Sequence, residues 1–444
     1  MNKIFAKWIV IFSLFLFQIA CSDSVFKSDS PVTLTLWHVC GDQTDSPMNA
    51  LVEHFNQDVG RGKGIIVNIT SLSNSTDIHF ALVAAAKKYP GAGELPDIFI
   101  SYPKTALDIG QDRLVDWKDY FPEEKLAEFV PSFLAEGEIN GRLLILPVAK
   151  SSSALFVNAT IFDQFARESG VRYEDLATWE GMFRTAKLYN QWSGGKAFFK
   201  YDDWLHYGLI NTTALGGEFF QGNSVNFQDQ EFQRIWSQLA ASAVSGEVCL
   251  LSGYTTTAMM TGETLCGISS TAAVLYYHDR VIFPDNTSIP LRLKVLPVPY
   301  FEGGRRLAVQ RGGGLGLVKS TPEKERAAAV FAEWLTAVEN NVPFAVETGY
   351  FPVKTKAYEN FLSQPDLPFK NERYRDLYST IQQIQAEYQF YIPPFFENYG
   401  EVEKAFSEVQ LDLFKKYRKQ NSDAPLDLNY LPQQILIELE SSMK

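Results

Sequence analysis

The chain has 444 residues and a formal net charge of −12, with 46% hydrophobic and 21% charged residues. That length and balance suit a globular protein of two or three domains. The acidic charge argues against nucleic acid or an anionic membrane face as partner, and four cysteines are too few for a disulfide scaffold. Aromatic residues reach 14%, enough for some to line a binding cleft.

Lys3 and Lys7 precede an apolar run from Trp8 to Phe17. That run is short of the roughly 20 residues a bilayer span needs. With small Ala20 before the break, residues 1–20 read as a secretion signal. Cys21 follows Ala20 and resembles the lipid-attachment site of a bacterial lipobox, although Gln18 stands where Leu or Val is usual. A plain signal peptide with an unused Cys is the alternative. Residues 21–30 are polar and form a tether. If Cys21 carries lipid, Cys40, Cys249 and Cys266 remain; Cys249 and Cys266 either pair or stand as buried thiols.

Val32–Trp37, Ile65–Ile69 and Pro96–Ile100 read as strands, alternating with helices that start at Pro47 and Asp77. Strand–helix alternation predicts a mostly parallel sheet with helices on both faces. Ligands bind beyond the carboxyl ends of such strands. Trp37, His38 and Tyr102 lie there, with Gln43 in the loop after the first strand.

Asn140-Gly141 predicts a tight hairpin turn. Lys150–Asn158 is an extended run carrying Ser151 and Ser152, followed by helical spacing at Met182, Phe183 and Ala186. Asp202-Asp203-Trp204 punctuates the middle of the chain, and Cys266–Thr271, with Ser269, is another strand. Next come Gly312, Gly313 and Gly314, a short apolar strand, and a helix opened by Thr321-Pro322. A shorter helix stops at Gly349, and Tyr350-Phe351-Pro352 follows. Gly-rich backbone admits a ligand close to main-chain N–H groups, and Tyr350 sits in a loop suited to contact.

The order of elements over Gln310–Val353 resembles the C-terminal half of extracellular solute-binding proteins of ABC importers, the branch that includes maltose-binding proteins and glycerol-phosphate binders. The resemblance implies a two-lobed α/β fold with discontinuous lobes joined by crossing hinge strands. The lobes would be 31–148 with 276–335, and 149–275 with 336–444. Ser151, Ser152 and Ser269 would then face the cleft at the hinge. It further implies a monomeric, lipid-anchored, extracytoplasmic receptor that binds a sugar or polyol, delivers it to importer membrane subunits, and does no chemistry.

The residues offer little else. The five His show no ligand-pair spacing, so no metal or other cofactor is expected. There is no GxSxG elbow and no phosphate loop. Asp202-Asp203 are adjacent and point apart, which suits a solvated loop better than glycosidase chemistry. Trp37, Tyr102, Trp204 and Tyr350 could stack on the apolar face of a sugar. The glycerol-phosphate binders in this family carry a phosphate-pairing Arg late in the chain. The matching stretch here, Pro393–Glu403, has no Arg or Lys, leaving Arg311 to support an anionic ligand. Two alternatives stay open: a surface enzyme acting on polysaccharide, and a receptor that serves a sensor.

Overall fold

The computed structural model describes residues 30–40, 46–363 and 372–444. The expected signal segment, Cys21 and Gln43 lie outside them. Strands β1 (Val32–His38), β2 (Ile65–Ser71) and β3 (Ile98–Ser101) are parallel neighbours in the order β2–β1–β3. Helices Pro47–Phe55 and Ser75–Lys87 connect them. Each begins where a side chain satisfies orphan N–H groups: Ser46 accepts from Asn49, and Asn74 accepts from Thr76 and Asp77. Leu34, Leu36 and His38 alternate onto one buried face of β1, while Trp37 lies on the other.

The backbone φ is 52° at Asn140 and 78° at Gly141, and the pair joins two short antiparallel strands. That is the turn an Asn-Gly pair predicts. Strand β4 (Ile145–Ser151) then belongs to the first sheet, and β5 (Ser153–Asn158), one residue later, to a second. This continuous extended run is the crossing between lobes. Strands β6 (Ala197–Tyr201), β7 (Thr264–Ser270) and β8 (Leu293–Leu296) complete a four-stranded second sheet in the order β8–β5–β7–β6.

Strand β9 (Arg311–Leu317) returns to the first sheet and sits between β3 and β4, antiparallel to both. It can do so because it is glycine-rich. At Gly312, with φ of +92°, an added Cβ would stand 2.0 Å from the Ala149 carbonyl oxygen; at Gly316 one would stand 2.2 Å from the Phe99 ring.

One hydrophobic core forms around the first sheet and another around the second. Helices Tyr399–Asp423 and Leu431–Ser442 contribute Phe406, Phe414, Ile435 and Leu439 to the second. The segment after 336, expected on the second lobe, divides differently. Phe344, Phe351, Val353, Leu377 and Ile381 join the first core. Asn341 fixes this docking: its Nδ2 donates to the Val148 carbonyl at 3.0 Å and its Oδ1 accepts from Val353 N at 3.0 Å. Cys249 and Cys266 stand as free, buried thiols. Among the described residues no helix is long and apolar enough to cross a membrane.

Candidate functional site

A cavity of about 720 Å³ is lined from both sheets' surroundings. Tyr102 and Lys104 enter it just past β3, Asp202 and Asp203 just past β6, and Ser269 and Ser270 at the end of β7. These are carboxyl ends of strands, where loop backbones leave room for a ligand. Tyr350 and Arg311 enter from the glycine element and its helices, and Tyr399 and Glu403 from the Tyr399–Asp423 helix.

Of the residues singled out in the sequence, Tyr102, Ser269, Arg311 and Tyr350 line this cavity. Trp37 instead packs against the cluster that holds Ile78 and Phe99. His38 is fully buried within β1, its Nδ1 accepting from Cys40 N at 3.1 Å. Burial pushes its pKa down to about 4, so it is neutral structural imidazole. Trp204 is a correction: it is 5% exposed and packs in the second core beside Tyr201. Ser151 and Ser152 are buried at the crossing, where Ser152 donates to the Val309 carbonyl and Ser151 accepts from Ser270. Gly312 and Gly314 serve strand packing, and Gly313 borders only a small annexe of about 30 Å³ beside Cys40 and Tyr350.

Lys104, Asp202, Asp203, His206, Tyr254, Tyr399 and Glu403 also line the cavity and are not among the sequence candidates. A usable signal exists for two of them. Asp202 and Asp203 directly follow a strand, the same position that points to Tyr102. Asp202 Oδ1 accepts from Thr255 N and Oγ1, each at 2.6 Å, and its other oxygen accepts from Ser269. Asp203 caps the helix Trp204–Leu215 by accepting from His206 N at 3.1 Å, the usual role of a short polar side chain at that position. Its Oδ2 lies 2.5 Å from His206 Nδ1 and 3.7 Å from Arg311 Nη1.

Burial alone would push the Asp203 pKa up, but His206 and Arg311 outweigh it and hold the carboxyl well below the usual range. Burial likewise works against the Arg311 charge, and Asp203 overcomes it. Arg311 Nε is buried without a hydrogen-bond partner, a donor left over for an acceptor in the cavity. Lys104 pairs with Glu403. Lys104, Arg311 and Lys404 face Asp202, Asp203, Glu403 and Glu408, a slight excess of negative charge.

Asp203, His206 and Glu403 each bring a donor atom within 4.8 Å of the others, a spacing a cation could use. Arg311 and Lys104 already neutralise the two carboxylates, so a divalent ion would have to displace both partners. The rest of the lining mixes aromatic rings, among them Tyr102, Tyr254, Tyr276, Tyr350 and Tyr399, with small hydroxyl side chains such as Thr76, Thr256 and Ser269. Tyr350 is held in place by stacking on Phe344, with centroids 5.8 Å apart and planes at 12°. Its hydroxyl lies 3.8 Å from Cys40 Sγ.

No curated protein matches the chain by sequence. Solved structures do match by shape. The cyclic alpha-maltosyl-1,6-maltose binding protein of Arthrobacter globiformis is 18% identical with a TM-score of 0.65, over 94% of this chain and 100% of that one. An ABC substrate-binding protein of Listeria monocytogenes, solved with cycloalternan, is 14% identical with a TM-score of 0.69, over 93% and 99%. UgpB of Mycobacterium tuberculosis, solved with glycerophosphocholine, is 15% identical with a TM-score of 0.65, over 93% and 99%. Residues 50–369 match the family described as bacterial extracellular solute-binding protein. With crossing strands between two lobes, a cavity fed by both, and most of its length matched, the chain belongs to the bacterial extracellular solute-binding proteins, which bind solutes and do not transform them.

Proposed function

We propose that this protein is the receptor of an ABC importer for a neutral oligosaccharide or polyol. The observation that carries this is the cavity wall, which combines aromatic rings and hydroxyl side chains with ion pairs already closed among protein groups. A sugar offers an apolar C–H face to the rings and hydroxyls to Arg311, Asp203 and Ser269. A volume of about 720 Å³ suits several sugar rings better than one. Two likenesses support it, since those proteins are described with cyclic alpha-maltosyl-1,6-maltose and with cycloalternan. Solute touching both lobes favours closure, and importer membrane subunits would read the closed state.

A phosphodiester is the second reading, favoured by the unpartnered Arg311 Nε and by the likeness to the glycerophosphocholine complex. Asp203 counts against it, because it already compensates Arg311. A thermal-shift panel of maltose-series oligosaccharides, hexitols and glycerophosphocholine separates the two. Ligand at about 100 times its Kd adds about 2.7 kcal/mol to folded-state stability. The expected result is a rise in Tm with oligosaccharide and none with glycerophosphocholine; the reverse pattern, or hydrolysis of the sugar, overturns the proposal.

The receptor acts as a monomer held to the membrane by lipid on Cys21, a reading supported by the basic start, the short apolar run and Ala20-Cys21. Cys21→Ser is expected to move the protein from the membrane fraction to the soluble fraction. Retention of lipid label by the variant would exclude Cys21 as the attachment point.

A further inference from the structure

The two lobes also meet beside the cavity. Helices Ser75–Lys87 and Pro103–Ile109 pack on the first sheet through Ile78, Leu82 and Ile109. Helix Tyr399–Asp423 is anchored in the second core through Tyr399, Phe406 and Phe414. The residue that precedes it, Asn398, lies in the left-handed region at φ 65° and its side chain makes no cap. Asn is the non-glycine residue that enters this region most readily, at a modest cost that neighbouring contacts offset.

What holds it comes from the opposite lobe. Asp108 Oδ1 accepts from Asn398 N at 2.8 Å. Asp108 Oδ2 lies 3.3 Å from His79 Nε2, and His79 Nδ1 is 2.9 Å from Thr105 Oγ1. Thr105 in turn hydrogen-bonds Ser101 at 2.7 Å. Burial would raise the Asp108 pKa, but the His79 and Asn398 bonds outweigh it and lower it, as befits an anion at the positive end of a helix. One turn on, Glu403 pairs with Lys104. The Lys104 ammonium also sits 5.7 Å from the Tyr399 ring centroid, close enough for a cation–π attraction. Gly400 makes the approach possible: a Cβ there would stand 2.6 Å from His79 Nε2.

We propose that this contact is a closure latch, in which Asp108 of the first lobe caps in trans the N-terminus of the second lobe's Tyr399–Asp423 helix. Its contacts are made by protein atoms alone, so they favour the closed state whatever solute fills the cavity. Asp108 is not part of the cavity wall, so its bond to Asn398 adjusts affinity through the closed population and not through a solute contact; Lys104 and Glu403 also line the cavity, which is why the test is run without solute. The proposal needs no assumption about which solute is bound.

The test uses the full chain without added solute. Spin labels on one exposed residue of each lobe report the interlobe distance by double electron–electron resonance. The wild type is expected to show a short-distance population that Asp108→Ala and Gly400→Val shift to a longer distance. Lys104→Glu and Glu403→Lys each lengthen the distance singly, and together restore the short population. Circular dichroism confirms that each variant is folded, and the restored double variant separates a latch from general damage. A wild type already at the long distance overturns the latch, as does a short population that survives Asp108→Ala and Gly400→Val.

Discussion

Lys150→Ala is expected to lower the unfolding free energy by about 3–5 kcal/mol, the scale for leaving one buried charge without its partner. Lys150 is 3% exposed at the end of β4, where the chain is about to cross between lobes. Its Nζ donates to Glu136 Oε2 at 2.8 Å and to the Gly312 carbonyl at 3.0 Å. Gln310 Nε2 donates to the same Glu136 oxygen, so one buried carboxylate gathers β4, the approach to β9 and the helix that carries Glu136. Removing the ammonium strands that carboxylate, whereas removing both charges does not. Lys150→Met combined with Glu136→Leu is therefore expected to recover most of the loss. Urea denaturation of the two variants decides it. A single substitution that costs under about 1 kcal/mol would mean that water reaches the pair.

The second large effect is expected at Gly312. Gly312→Ala places a Cβ 2.0 Å from the Ala149 carbonyl oxygen and 2.6 Å from Lys150 Cα, at a φ of +92°. Both obstacles are backbone of β4, so relief requires the strands to separate. A loss of about 3 kcal/mol combines the left-handed backbone cost with overpacking. Gly303→Ala is the control: its φ of +81° carries a similar backbone cost, but its Cβ would meet nothing within 4 Å. It should cost only about 1–2 kcal/mol. Equal shifts in thermal melting for the two variants would contradict the crowding at β9.

These two sites show what was readable in the chain. The triple glycine stands out at once, and its place beside a strand and a helix led correctly to the two-lobed fold. Its reason did not follow, because a glycine needed for ligand approach and one needed for strand approach look alike until the neighbouring strand is known. Lys150 read as part of a polar crossing strand; that its ammonium is buried depends on Glu136 and Gly312, which are distant in sequence. Composition and strand–helix alternation found the strands and helices of the first half; of those strands only β1 and β2 bury one face, whereas β3 is buried throughout. Periodicity could not assign the helix after Val338 to a lobe, since an apolar stripe does not name its partner. The aromatic candidates divided for a similar reason. Tyr102 and Tyr350 follow the ends of elements and reach the cavity, whereas Trp204 opens the helix after β6 and turns into the core. Asp202 and Asp203 were discounted by their spacing, yet each is fixed by a different neighbour, Thr255 in one case and His206 in the other.

The position of β9 also sets a timetable for synthesis. It sits between β3 and β4, but it is made long after them, once all four strands of the second sheet have been translated. At roughly 5–20 residues per second, the ribosome needs on the order of ten to thirty seconds to travel from β4 to β9. Through that interval the facing edges of β3 and β4 lack their shared partner, and the first sheet stays split. The first sheet therefore completes only once β9 is made, although β1, β2 and β3 can already pair with one another. For a family whose members work outside the cell, a first lobe that cannot be completed before β9 is made leaves the amino-terminal half without its full sheet for most of synthesis.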